Sequence, residues 1–254
     1  MRKHEIGYQD NFDPHHCNRS YRRSLKSSDL VSFQVKEKES DLLIQAPIIL
    51  QEEARSSLKH LRKILEDYIQ KNPIFKITLK PYPMDIFSDP MIREMIEVSS
   101  LCQVGPMAAV AGCISQYVAK SLLNKTSEVI IENGGDLYIK SPRIRKVIIY
   151  AGLSPLSNKI YLKIGSRQKG IGVCTSSGTV GPSFSMGKAD AVTVLSPSAA
   201  MADAAATAIG NVIQTTDDIK KGIDLARNFS TVQGVVIIKD DKIGLWGEID
   251  YGFI

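Results

Sequence analysis

The chain reads as an α+β protein in which two β-sheet lobes are flanked by helices and form one integrated unit. Three observations predict this. A helical apolar period runs through residues 51–71. Two apolar segments, 128–132 and 137–139, meet at Asn133-Gly134-Gly135-Asp136, and Asn-Gly is the strongest short hairpin signal. Finally, residues 170–211 read as strand, hydroxyl-rich turn, strand and helix. No stretch is rich enough in Pro, Gly or Ser to divide the chain, so residues 1–254 are expected to form a single domain. Within it, residues 1–25 are a polar N-terminal segment, and residues 100–215 carry the motifs.

The elements follow in order. Residues 29–36 and 41–46 form a strand pair about the charged turn 36–40, the first strand with clean alternation in VSFQVK. Ala54, Leu58, Leu61, Ile64, Leu65, Tyr68 and Ile69 fall on one face of the helix 51–71. Glu52 and Glu53 suit the positive end of its dipole, and Asn72-Pro73 stops it. Residues 75–79 are expected as a short strand, followed by the stiff connector Pro81-Tyr82-Pro83. Ser88 or Asp89 caps a helix that has Pro90 in its first turn and runs to Leu101. Gly105-Pro106 opens another, reaching Asn124, whose first half is rich in small residues. Strands are expected at 146–151, 159–164, 170–174 and 189–195. Ser196-Pro197-Ser198 opens a further helix, residues 217–229 form the last one, and a hairpin of 233–239 and 242–246 closes about Asp240-Asp241.

Composition limits the function classes. The net charge is +5, but Lys and Arg are interspersed with Asp and Glu, which describes a mixed surface and not a nucleic-acid arm. No apolar run approaches the ~20 residues of a membrane span, and the N-terminus lacks the apolar core of a signal peptide. A cytoplasmic location is therefore expected, without membrane or nucleic-acid partners. Cys17, Cys102, Cys113 and Cys174 form no Cys-x-x-Cys pair and are expected as buried thiols. His15-His16-Cys17 has no neighbouring ligand cluster and is taken as surface.

Chemistry-bearing patterns are few. There is no Walker loop, no G-x-G-x-x-G, no G-x-S-x-G and no H-E-x-x-H. The four histidines all precede residue 61. What remains is the glycine turn 133–136, the hydroxyl turn 175–179, and two helix starts rich in small residues, at 105–113 and 198–207. Asp203 and Thr207 add an oxygen-donor pair, four residues apart on one helix face with only alanines between them. Backbone N–H groups at helix starts and glycine turns bind phosphates, and a carboxylate with a hydroxyl suits Mg²⁺ better than zinc. The plain alternative is that Asp203 serves the dipole and Thr207 bonds back to the preceding turn.

The order GPMAAVAG, IIENGGDLYI, GVCTSSG and ADAVTVLSPSAAMADAAATAIGN resembles the ApbE superfamily, the FAD:protein FMN transferases. The resemblance covers residues 100–215 and points to a divergent cytoplasmic branch. It implies that Asp203 and Thr207 bind Mg²⁺ by side chain, with the Ala108 carbonyl as a third ligand. It further implies that Gly105, Asn133, Gly134, Gly135, Asp136, Thr175, Ser176, Ser177 and Gly178 line a pocket for FAD or another nucleotide. The transferases carry a lysine in the first motif, where this chain has Ala109, and a histidine after the Thr-Ser-Gly turn, where residues 179–188 contain none.

Three readings follow. In the first, the chain is an Mg²⁺-dependent enzyme acting on a flavin or nucleotide diphosphate, by FMN transfer or FAD hydrolysis, with Ser176, Ser177 or Lys188 near phosphate. In the second, it is an accessory or binding protein in sulfur or cofactor assimilation, a context the branch suggests. The third has the small-residue helices packing a homodimer.

Overall fold

The computed structural model describes Arg22, residues 29–180 and residues 185–254. His15-His16-Cys17 lies outside the described residues.

Among the described residues, eleven strands form two antiparallel sheets. The larger contains β1 (Val31–Glu37), β2 (Ser40–Ala46), β3 (Val129–Asn133), β4 (Asp136–Ser141), β7 (Arg167–Ser176), β8 (Ala191–Ser196), β9 (Gly234–Lys239) and β10 (Lys242–Gly247), in that spatial order. Every neighbouring pair in it is antiparallel. The smaller has β6 (Ile160–Ile164) between β11 (Tyr251–Phe253) and β5 (Arg145–Ile148).

The large sheet is the middle of three layers, and its strand sequences show why. β3, β8 and β9 are buried at nearly every position because both faces are covered. Successive side chains alternate between the faces. Val129, Ile131, Val192, Val194, Val235 and Ile237 join the helices in one core. Ile130, Ala191, Leu195, Val236 and Ile238 join Val147, Ile160 and Leu162 of the small sheet in a second.

Among the described residues, six α-helices form the outer layer on the first face: α1 (Gln51–Lys71), α2 (Pro73–Ile77), α3 (Pro90–Leu101), α4 (Val110–Leu122), α5 (Ala199–Asn211) and α6 (Ile219–Arg227). α1 buries Ala54, Leu58, Leu61 and Leu65, the stripe its period predicts. α3 starts where Asp89 accepts the Met91 N–H at 2.8 Å, with Pro90 in its first turn. α5 lies against β7, β8, α3, α4 and α6, so nearly its whole circumference is buried and alanine predominates. Among the described residues no single helix is long and apolar enough to cross a membrane.

Several expectations are corrected. Residues 75–79 do not form a strand: Pro73 sits in the first turn of α2, its fixed φ suits a helix start, and Phe75 is buried beside Tyr68 and Tyr82. The helix expected from Gly105 begins as a 3-10 turn, Pro106–Ala109, before α4 proper. The strand expected at 146–151 is the shorter β5, and β7 is twice as long as the segment 170–174. β11, too short for a sequence signal, was not foreseen.

The helical layer reaches the sheet closely because glycine faces it. A Cβ at Gly172 would lie 2.3 Å from Ala199 Cα and 2.7 Å from Ala199 N, both backbone atoms that cannot yield without moving α5. Gly172→Ala should therefore lower stability by about 2–3 kcal/mol, the usual cost of overpacking a tight core. The urea midpoint at unchanged m checks this; a variant as stable as the parent contradicts the close approach.

Candidate functional site

Four segments distant in sequence meet at one end of the helix-facing side of the sheet: the start of α4, the β3–β4 turn, the end of β7, and α5. The turn is a two-residue hairpin closed by the pair Asn133 and Asp136. Its central residues, Gly134 at φ +68° and Gly135 at φ +110°, adopt backbone conformations that glycine enters without strain. Asn133 Nδ2 donates to the Ala111 carbonyl at 3.2 Å, which ties the turn to the first turn of α4. Asp136 pairs in register with Cys174 of β7.

Asp203 closes the arrangement from α5. Its Oδ2 accepts the Gly112 N–H at 2.9 Å, and the Ala111 N–H also faces it. α4 has no side-chain cap of its own, because Ala109 stands at its N-cap position. Asp203 therefore caps α4 from another helix, placing a carboxylate at the positive end of the α4 dipole. Gly112 permits this: a Cβ there would lie 2.2 Å from Ala199 O and 2.8 Å from Asp203 Cβ.

Two carboxylates are thus buried together. Burial pushes the Asp203 carboxyl up to about 7, against the opposing pull of the Gly112 and Ala111 N–H groups. Asp136 is also pushed well up, first by burial and then by the charge of Asp203. Asp136 Oδ1 is buried and has no hydrogen-bond partner. Cys174, beside it, is held as a neutral thiol by burial and donates to the Ala199 carbonyl at 3.3 Å. Cys102 and Cys113 are likewise free buried thiols.

The remaining predicted site residues take varied places. Ala108, Thr175, Ser176, Ser177 and Thr207 are half-buried, as is Gly135, while Gly134 and Gly178 are exposed. Ser176 faces α5, its Oγ 3.7 Å from where a Gly210 Cβ would stand. The Thr175 hydroxyl instead contacts Thr193 Oγ1 at 2.9 Å across the strand pair. Ser177 Oγ accepts the N–H groups of Thr179 and Val180 at 3.1 and 3.0 Å, and Gly178 donates its N–H to the Ala189 carbonyl at 2.8 Å. Both therefore shape their own loop. Gly105 is buried, and a Cβ there would lie 1.9 Å from the Thr78 carbonyl oxygen, so its glycine has a packing cause.

The expectation that both helix starts present open N–H groups to an anion is corrected. At α5, Gln116 Oε1 accepts the Ala199 N–H at 2.8 Å and Ser198 Oγ accepts the Met201 N–H at 3.2 Å. Glu94 holds both partners through Gln116 Nε2 and Ser198 Oγ, at 2.7 and 2.9 Å. At α4, Asp203 takes the Gly112 N–H. The sequence analysis missed Gln116, Glu94 and Gly112. Only the run of small residues at Gly112 hinted at an acceptor approaching its backbone.

Two carboxylates, one of them with an unpartnered oxygen, are brought together at the meeting point, and such oxygen donors suit a hard cation. Among the described residues no three His, Cys, Asp or Glu side chains converge as a metal cluster, so hydroxyl and carbonyl donors have to complete any such set.

The helix-backed antiparallel sheet shares its fold with solved ApbE proteins. A mutant of the flavin transferase ApbE from Vibrio cholerae is similar with a TM-score of 0.59 at 12% identity, over 86% of this chain and 97% of that one. The flavinyl transferase ApbE of Pseudomonas stutzeri gives 0.55 at 13% identity, over 85% and 94%. The chain belongs to the family described as AbpE bacteria, whose model matches residues 22–243. Its relatives include UPF0280 proteins from archaea. That of Methanothrix thermoacetophila is 39% identical over 77% of this chain and 83% of its own length, and that of Methanococcus vannielii 40% identical over 87% and 92%.

The buried pair sets a pH dependence. A carboxyl raised from 3.8 to about 7 on folding binds its proton more tightly in the native state, so its contribution to stability is present below the unfolded value and is lost as pH rises toward 7. In metal-free buffer the melting temperature should fall between pH 5 and pH 7.5. In Asp203→Asn, which keeps an acceptor for Gly112, the slope should be shallower. Parallel profiles for the two proteins contradict a raised Asp203.

Proposed function

We propose that this chain binds a flavin nucleotide through its diphosphate together with one Mg²⁺, at the meeting point of α4, the β3–β4 turn, β7 and α5. The observation that carries this reading is the buried, unpartnered Asp136 Oδ1 beside the buried Asp203. Two desolvated carboxylates without a counter-cation are costly to ionise near neutral pH, and a divalent cation offsets that cost.

Asp203 and Thr207 would hold the ion by side chain and Ala108 by its carbonyl, with Asp136 completing the negative charge. Bound there, Mg²⁺ supplies charge neutralisation and polarisation of a phosphoryl oxygen. The chain's own residues position the substrate. Gly134 and Gly135 leave no side chain over the turn, so a diphosphate can approach backbone. Ser176 faces α5 from a half-buried site, and Lys188 is exposed beyond the hydroxyl turn, where it suits a phosphate.

Such a site supports cleavage of the FAD pyrophosphate. In hydrolysis water enters and FMN and AMP leave; in transfer a protein hydroxyl takes FMN and AMP leaves. The similarity to proteins titled flavin transferases supports the substrate class. A second reading, binding without turnover, is favoured by Ala109, which is fully buried at the position where the resemblance expects a lysine, and by the lack of histidine in residues 179–188. Residues 181–184 of that interval lie outside the described residues.

FAD with Mg²⁺ should raise the melting temperature, corresponding to about 2.7 kcal/mol when free ligand stands at a hundred times its Kd. Asp203→Asn and Thr207→Val should each abolish most of the Mg²⁺-dependent part. AMP release from FAD, followed by chromatography, separates the two readings. A parent protein whose melting responds to neither FAD nor Mg²⁺ overturns both.

A further inference from the structure

We propose that Arg22 is a positioning residue for this site: its guanidinium pins Glu132, and Glu132 in turn fixes the Gly134–Gly135 turn that leads into Asp136. The proposal rests on the functional reading above only for what the turn does, not for how it is held.

The path is short and entirely charge-assisted at its start. Arg22 Nε donates to Glu132 Oε2 at 2.6 Å, Nη1 to Asp41 Oδ1 at 2.9 Å and Nη2 to the Asp41 carbonyl at 2.6 Å. Each guanidinium nitrogen has its own acceptor, an arrangement a lysine ammonium cannot reproduce. The Arg22 side chain is 12% exposed and that of Glu132 only 2%. The second Glu132 oxygen, Oε1, accepts the Gly135 N–H at 3.0 Å. That N–H belongs to a residue at φ +110°. Glu132 follows Ile131, which faces the helices, so it stands on the opposite face of the sheet. The clamp therefore holds the turn from beneath while α4 and Asn133 hold it from above.

Charge gives the arrangement a second consequence. Glu132 lies close enough to Asp136 for their charges to act on each other. With Arg22 in place that carboxylate is compensated. Without it, less positive charge stands against a buried carboxylate that already acts on Asp136. Residue 22 lies far from the motif-bearing stretch, so spacing along the sequence does not associate it with the site.

Amide hydrogen exchange by NMR, read at Gly135 against Val173 in the adjacent strand, tests the clamp, with FAD–Mg²⁺ binding measured by equilibrium dialysis in parallel. In Arg22→Gln, exchange at Gly135 should rise about tenfold or more beyond any change at Val173, and FAD should bind several-fold more weakly. In the double variant Arg22→Gln/Glu132→Gln the surplus charge is gone and an acceptor remains, so both quantities should return most of the way to the parent's. If Arg22→Gln does not fold, Arg22→Lys replaces it, with a smaller rise at Gly135 expected. Equal change at Gly135 and Val173, or a double variant no better than the single, overturns the proposal. A parent protein that binds no FAD overturns the functional reading alone, because Gly135 exchange decides the clamp without ligand.

Discussion

The hydrogen bond from the Gly112 N–H to the Asp203 carboxylate fixes the relation of the two central helices, and much of the structure follows from it. A buried carboxylate is tolerated only where donors surround it. Here the donors are the uncapped N–H groups of α4. The same bond therefore settles two needs: α4 obtains an acceptor for its first turn, and Asp203 obtains partners in a place without water. It also sets how near the helices lie, because the carboxylate reaches the backbone only if residue 112 lacks a Cβ.

That closeness propagates to the sheet. Ala199, at the start of α5, touches both Gly112 of α4 and Gly172 of β7 by backbone atoms. Gln116, also of α4, accepts the Ala199 N–H, and Glu94 of α3 secures Gln116. The N-terminus of α5 is thus wired into two other helices and is closed to solutes. Any ligand must come instead from the rim, where Gly134 is exposed and Ala108, Gly135, Ser176 and Thr207 are half-buried. The unpartnered oxygen of Asp136 lies beneath that rim, and the proposed binding reading rests on it.

The small sheet takes no part in the meeting point. It covers the opposite face and converts the strands of the large sheet into elements buried on both sides. Arg145 of β5 links the layers: it is buried, bonds Ser141 Oγ and Glu128, and reaches Asp29 at 2.7 Å. A guanidinium with that many acceptors orients the small sheet on the large one more specifically than apolar contact does.

Local signals were legible wherever a single stretch contains both the cause and its effect. The helix 51–71, the Asp89 and Ser198 caps, the Asn-Gly hairpin and the buried thiols of Cys102, Cys113 and Cys174 are of this kind. Tertiary structure decided what those groups do. It made Asp203 a cap for a distant helix, took the N–H groups of the α5 start for Gln116 and Ser198, turned Thr175 toward Thr193, and set Arg22 beneath the glycine turn. Each of these depends on which residue, remote along the chain, supplies the missing donor or acceptor, and hydrogen-bond complementarity of that range has no period or motif in the sequence to announce it.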